Sequence, residues 1–408
     1  DAGASMGQGG HFLLDPKFIV IKAPAVIAGV SVELLDPNPG SGDLFGLNPV
    51  LLNNGNILIF NANDDLAATN AGAIYLYDGL TGGLISHLRG SAANDRIGSS
   101  GVAHYLSGGG VLVSSPFWNG SAGALTPIAM TTGVAGVVSS TNSLVGATPG
   151  DQVGSSGIQS IGSGKIAIRS PNWSSGTGAI TWADGGSSIT GVVSSANSLV
   201  GGQANDRVGN SFLTSGGSGS YLAATPAWNG SAGAVTWINS AAPIVGAVTS
   251  ANSLVGGAPG DQVGSSGVQN LLSGMWTIFS PNWNGNRGAV TFMDQATGMV
   301  GTVGAGNSLV GTDPGDRVGS GTRAFVGSIV AILSPDWANG VNATAAGAIT
   351  WFDAASIVTG AVSAAYSLVG NHNDDRVGAS SFRNLDGTRY AIVNPNWDND
   401  TGSVTWVD

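Results

Sequence analysis

One phrase returns about every 55 residues, and a chain written this way folds as an array of like units or not at all. Its landmark is an acid two residues before an apolar-Gly pair. It stands at Asp43 (GDLFG), Asp95 (NDRIG), Asp151 (GDQVG), Asp206 (NDRVG), Asp261 (GDQVG), Asp316 (GDRVG) and Asp375 (DDRVG), which makes seven copies. The stretch from Asn252 to Trp283, NSLVGGAPGDQVGSSGVQNLLSGMWTIFSPNW, serves as the template.

After each landmark come a short alternating segment, a Gly/Ser/Asn turn and a second apolar segment that stops at Ser-Pro-Asn-Trp or a relative. A Gly-rich gap and Gly-Ala-Val-Thr-Trp follow. Segments of about five residues rich in Val, Ile, Thr and Trp, bounded by Gly, Asn and Pro, are β-strands by propensity and punctuation. Four such strands in a period of this length predict a propeller blade. The length of 408 residues would otherwise suggest two or three domains, but the regular repeat favours one closed array. Glycine is high at 67 residues, yet an apolar fraction of 42% leaves ample material for a core.

Residues 25–408 are expected to form the propeller, and residues 1–24 an N-terminal arm. Positions 1–10 of that arm (DAGASMGQGG) have nothing to bury, whereas Phe12–Pro24 is apolar and outside the repeat. Ile27–Gly46 aligns with Ile189–Gly209, a fourth strand leading into the next first strand. The last copy ends after GSVTW with three strands. The reading is therefore all-β: a seven-bladed propeller of four-stranded blades, closed by an N-terminal strand that completes the last blade and removes its open edge. First strands are expected to start near Val153, Val208, Val263 and Val377, and fourth strands to run through Gly191–Ser195 and Gly246–Thr249.

A net charge of −11 with three lysines excludes a phosphate backbone as partner and disfavours an anionic membrane surface. Without cysteine there is neither disulfide nor thiol chemistry, and no four-ligand metal spacing occurs. The longest apolar run, Phe18–Val32, is broken by Lys22, Pro24 and Gly29, so no membrane insertion is expected. Scarce Lys and Glu, and a start at Asp-Ala-Gly that could follow signal removal, point to a secreted or cell-surface protein.

The order Phe-Gly or Val-Gly, apolar strand, Gly-Ala-Pro-like stop and Gly-x-Val-Tyr strand resembles the FG-GAP repeat of integrin α-subunit propellers. The first copy (GDLFG, NILIF, AGAIYLYDG) is nearest to it. The other copies, with VGSSG, SPNW and GAVTW, resemble repeats of very large bacterial surface proteins of the filamentous-haemagglutinin kind. The resemblance covers residues 27–408 and implies a fold far more than a function. FG-GAP blades often hold calcium between strands one and two. The turns here (LLNNGN, SIGSGK, LLSGMW) lack paired acids, so calcium is not carried over to them.

Three sets of residues are candidates for chemistry. The stop tryptophans Trp118, Trp173, Trp228, Trp283, Trp337 and Trp397 are the ligand-binding candidates, as faces for stacking a sugar. The plainer reading, a wedge between blades, is preferred. The landmark aspartates Asp43, Asp95, Asp151, Asp206, Asp261, Asp316 and Asp375 read either as a ring of charge or as caps on the preceding turn, and the caps are preferred. Asp64 and Asp65 in the first copy, with Asp398 and Asp400 in the last, gather hard oxygens that suit calcium, against a plain solvated acidic rim. No other cofactor is implied.

The four histidines occupy unrelated repeat positions with no triad arrangement, so no catalytic residue is assigned and the chain is not read as an enzyme. The leading expectation is an extracellular structural or adhesive protein acting through its loop faces and through self-assembly by the arm. Its partners are then copies of itself or a cell-surface or glycan ligand. A multivalent glycan-binding module is the alternative, and an enzyme with one asymmetric loop-face site the second.

Overall fold

The computed structural model describes residues 18–19 and 32–407, apart from 102, 187–188, 218, 272–273, 322, 327–328, 341–342, 381 and 386–388. The remainder of the arm lies outside the described residues. The chain forms two compact units. One comprises Asp1–Ser160, Gly164–Ser175 and Ile180–Asn197, the other Ile161–Ser163, Gly176–Ala179 and Ser198–Asp408.

Both units are all-β and repeat one sheet. In the first unit, Ala103–Tyr105, Gly110–Ser115, Ala124–Ala129 and Leu144–Val145 pair antiparallel in chain order, and Gly191–Val192 adds a fifth, parallel strand. Asn48–Leu51, Ile57–Asn61, Ala73–Tyr77 and Leu84–Arg89 form a like sheet, with Gly136–Val137 parallel to its outer edge. In the second unit, Thr214–Gly217, Ser220–Thr225, Ala234–Asn239 and Ser253–Val255 are joined by Gly301–Thr302. Val268–Leu271, Met275–Ser280, Ala289–Asp294 and Ser308–Val310 are joined by Gly360–Ala361.

The four-stranded blade is thus corrected to five strands in five of the sheets, while Arg323–Val326, Ile329–Ser334, Ala348–Asp353 and Ser367–Val369 form a sheet of four among the described residues. Two assignments move with the correction. The fourth strand is the Ser-Leu-Val triplet. It follows the third strand antiparallel because Leu254 and Val255 bury their side chains and the Ser253 hydroxyl meets that of Thr236 at 2.7 Å. The same buried hydroxyl pair occurs at Thr126–Ser143 and Thr291–Ser308, and a part-buried one at Thr350–Ser367. The Gly-Val or Gly-Ala pair expected as the fourth strand instead crosses to the sheet of the preceding repeat. It is anchored there by the next valine, as when the Val248 N–H donates to Val200 O.

First strands also begin later than expected, at Ile158, Thr214, Val268 and Phe382. The landmark valine lies in a turn and makes one parallel bridge, Gly178↔Val208 or Gly288↔Val318, to the glycine that opens a third strand. That contact explains the glycine. At Gly233, with φ near +79°, an added Cβ would stand 2.2 Å from Val263 N.

The last sheet holds Phe382–Asn384, Tyr390–Asn394 and Ser403–Val407 and, among the described residues, no fourth strand. Its outer strand exposes Val404 at 68% and Trp406 at 59%, although the equivalent Val235 is fully buried. Within Ile27–Gly46, where the closing strand is expected, Leu34–Leu35 is a strand and pairs antiparallel with Phe18–Ile19. Leu34 also packs with Phe45 and with Ile59, Tyr75 and Tyr77 of the first sheet, and the Tyr77 hydroxyl donates to Leu35 O. No helix among the described residues is long and apolar enough to cross a membrane.

Gly233→Ala should cost more than about 2 kcal/mol, combining backbone strain at positive φ with a clash of the new Cβ against the Val263 backbone. Chemical denaturation checks this, and an unchanged midpoint refutes the close approach.

Candidate functional site

From Asp95 onward every landmark carboxylate is buried and saturated by backbone. At Asp261 one oxygen accepts the N–H groups of Gly257 and Ala258 at 2.8 and 3.0 Å, and the other accepts Asn284 N–H at 2.8 Å. The same three positions serve Asp95 (Ser91, Ala92, Asn119) and Asp151 (Ala147, Thr148, Ser174). They serve Asp206 (Gly202, Gln203, Asn229), Asp316 (Thr312, Asp313, Ala338) and Asp375 (Asn371, His372, Asp398) in turn. Two donors come from the preceding turn, and the third from the residue after the stop tryptophan.

The local sequence makes this geometry accessible. The residue after the acid is left-handed, with φ of 47° at Arg96, 48° at Gln152 and 56° at Arg207. The tryptophan stop is followed by three left-handed residues in a row, such as Asn229, Gly230 and Ser231 with φ of 51°, 65° and 64°. Asn, Gly, Ser and Asp are the types that tolerate this conformation, and they fill the equivalent sites after Trp118, Trp173, Trp283 and Trp397.

Identical frames titrate differently. Burial pushes the Asp316 carboxyl above its ordinary range despite its three N–H donors, and Asp313 adds like charge. At Asp375 burial acts in the same sense, but the N–H groups of His372, Asp398 and Asn371 and the nearby imidazole outweigh it and hold the carboxyl below that range.

The tryptophans turn inward. Trp337 is buried and the other five stops are half-buried, and the indole N–H groups of Trp118, Trp173 and Trp337 have no partner among the described residues. Trp118 and Trp283 lie against the apolar clusters of the sheets. On the third strands, Trp237 donates its indole N–H to Gln295 O of the following repeat.

Of the proposed calcium ligands, Asp64 is buried and engaged by Tyr75 Oη–H, Leu66 N–H and Asn61 Nδ2–H, and Asp65 accepts Asn70 N–H. Burial followed by the Asp64 contact pushes the Tyr75 hydroxyl far above its usual range, so it stays a donor. Asp398 and Asp400 belong to the other unit, where Asp398 approaches His372 at 3.8 Å and Asp400 accepts Asn396 Nδ2–H. Among the described residues no three His, Asp or Glu side chains gather as a metal site.

Asp43 breaks the pattern. It is 4% exposed, and its Oδ2 has no partner among the described residues. Gly40 N–H bonds the carboxylate, but the donor position four residues before the acid is Pro39, which has no N–H. The sequence carried this signal: the first copy reads DPNPGSGD, with proline four residues before the acid, where the other copies have Ser, Ala, Gly, Thr or Asn at that place. Burial, then the charges of Asp64 and Asp65, push the Asp43 carboxyl up.

Asp261→Ala strands three N–H groups and should cost at least about 2 kcal/mol, at about 1–3 kcal/mol for each stranded donor. Asp375, depressed in the fold, contributes stability above the unfolded carboxylate value that is lost as pH falls through the folded one. Asp316, raised in the fold, contributes in the opposite sense, its share being lost as pH rises through its folded value. Denaturation between pH 3 and 7 should therefore show a flatter acid limb for Asp375→Asn and a steeper one for Asp316→Asn than for the parent. Parallel limbs refute the assignment.

No curated protein sequence matches this one. Solved structures similar to it include BamB from Moraxella catarrhalis, at 13% identity over 88% of this chain and 83% of that one, with a TM-score of 0.29. The C-terminal WD40 domain of Sif2 matches at 12% identity over 92% and 85%, with a TM-score of 0.30. The family described as "Repeat of unknown function (DUF5650)" matches residues 105–155, 161–210, 217–265, 270–320, 330–379 and 384–408. Those segments make up well over half of the sequence, each with a tryptophan stop and all but the last with the landmark, so the chain belongs to that repeat family.

Proposed function

We propose that the protein is an extracellular structural or adhesive scaffold, a seven-bladed propeller that presents equivalent loops to a surface or to copies of itself. The observation that carries this reading is the recurrence of one saturated Asp frame in copy after copy, each loop spent on holding its neighbour. Such a surface acts by number and spacing, not through one reactive centre. The resemblance to FG-GAP and large bacterial surface repeats fits the same use.

Closure belongs to the proposal. Leu34 packs on the first sheet as Leu254 of a fourth strand packs with Ile278 of the sheet that follows it. The last sheet lacks a fourth strand among the described residues and leaves Val404 exposed. By the register Leu254↔Val235 and Val255↔Ala234, Leu34 would face Val404 and Leu35 would face Ser403. Phe18–Ile19 would then form an outer strand on the last blade, and the same pairing made between copies would give self-assembly.

The glycan-binding alternative keeps one supporting feature, on a third strand and not at the stops. Half-buried Trp237 lines a groove of about 430 Å³ with Ser220, Asn239 and Asp294.

The chain has no cysteine, so Leu35→Cys with Ser403→Cys tests the pairing without interference. Oxidation should give a cross-linked monomer for closure or a cross-linked dimer for exchange between copies, and no cross-link refutes both. Beads coated with the protein should keep their adhesion after Trp173→Ala. Loss of adhesion from that one change would refute a distributed surface.

A further inference from the structure

The one landmark acid without a full set of donors also lines a cavity. In the first unit a space of about 190 Å³ is bounded by Asp43, Leu44, Leu47, Phe60, Asn63 and Arg96, among others. Every other landmark carboxylate is saturated by three backbone donors, whereas Asp43 Oδ2 is buried with none among the described residues. Buried acceptors in folded proteins are nearly always paired, so the missing donor is the most informative feature of this cavity. The cause is covalent, since Pro39 occupies the place of the absent N–H.

We propose that this cavity binds a primary alkyl-ammonium group, with Asp43 receiving the ammonium and Leu44, Leu47 and Phe60 forming the wall for its methylene stem. Charge selects a cation: the carboxylates of Asp36, Asp64 and Asp65 act with Asp43 in this region. Among the described residues, the one cation lining the cavity, Arg96, is exposed and donates to Asn63 Oδ1. A divalent metal needs several free oxygens, but Asp64 spends both of its oxygens on Tyr75, Leu66 and Asn61, and Asp65 gives one to Asn70 N–H. A guanidinium prefers both oxygens of one carboxylate, and Asp43 already receives Gly40 N–H. A compact ammonium with a short apolar stem meets both the open oxygen and the apolar wall.

The site is independent of ring closure and of adhesion. Calorimetric titration of the full chain with n-butylamine at neutral pH should show saturable binding, with n-butanol at least tenfold weaker. Asp43→Asn should weaken the amine at least tenfold. Asp184→Asn, the same charge change at an exposed residue paired with Lys165, should leave binding unchanged. If Asp43→Asn fails to fold, Pro39→Ala decides the matter, because restoring the N–H should satisfy the carboxylate and weaken the amine severalfold. Nα-acetyl-lysine methylamide and 1,5-diaminopentane separate a lysine side chain of a polypeptide from a free amine as the source. Equal binding of butylamine and butanol, unchanged binding in both variants, or no saturable heat overturns the proposal.

Discussion

The contact on which the rest of the structure depends is a buried carboxylate that collects three backbone N–H groups from two loops. Hydrogen bonds to an ionised group are about twice as strong as neutral ones, so a single aspartate can hold two conformations that the chain would otherwise avoid. One is the left-handed residue after the acid, and the other is the left-handed run after the tryptophan. The inward tryptophan, the parallel bridge at the next valine and the glycine facing it all follow from where that carboxylate sits.

Departures from the frame are therefore informative in a way that its repetitions are not. Asp316 and Asp375 share their donors but differ in neighbours, an acid in one and an imidazole in the other, and they titrate to opposite sides of the ordinary range. At Asp43 a proline replaces a donor, and the carboxylate is left facing a cavity. A fold that repeats one solution shows its specialised place as the copy in which that solution is incomplete.

Much of the fold was legible because its signals are local. The period, the existence of the second strands and the third strands starting just after a glycine could be read directly from spacing and propensity, although the second strands end three residues before each stop tryptophan and not at it. The half of the aspartate contact made to the preceding turn could be read in the same way. The other half could not, since Asp261 and Asn284 are joined by folding and not by pattern. Two-residue strands such as Gly191–Val192 carry no periodicity, and nothing local says that they pair with the sheet before instead of the sheet behind. The calcium reading counted acids, whereas Asp64 is committed to a tyrosine that only the folded sheet brings near. Asp43 was grouped with its counterparts because the landmark matches, although the prolines before it already marked the difference.

The parallel strand that five of the sheets receive from the repeat after them has a consequence for how such a chain can grow or shrink. No five-stranded sheet is encoded by one continuous stretch, since Gly301–Thr302 finishes a sheet begun at Thr214. Duplicating or deleting one period therefore keeps each sheet complete wherever the cut falls, because the copy that arrives supplies the strand its predecessor lacks and receives one from its successor. A change of copy number by unequal recombination within the array thus needs no new boundary, because the join between any two such repeats is already made by the exchanged strand.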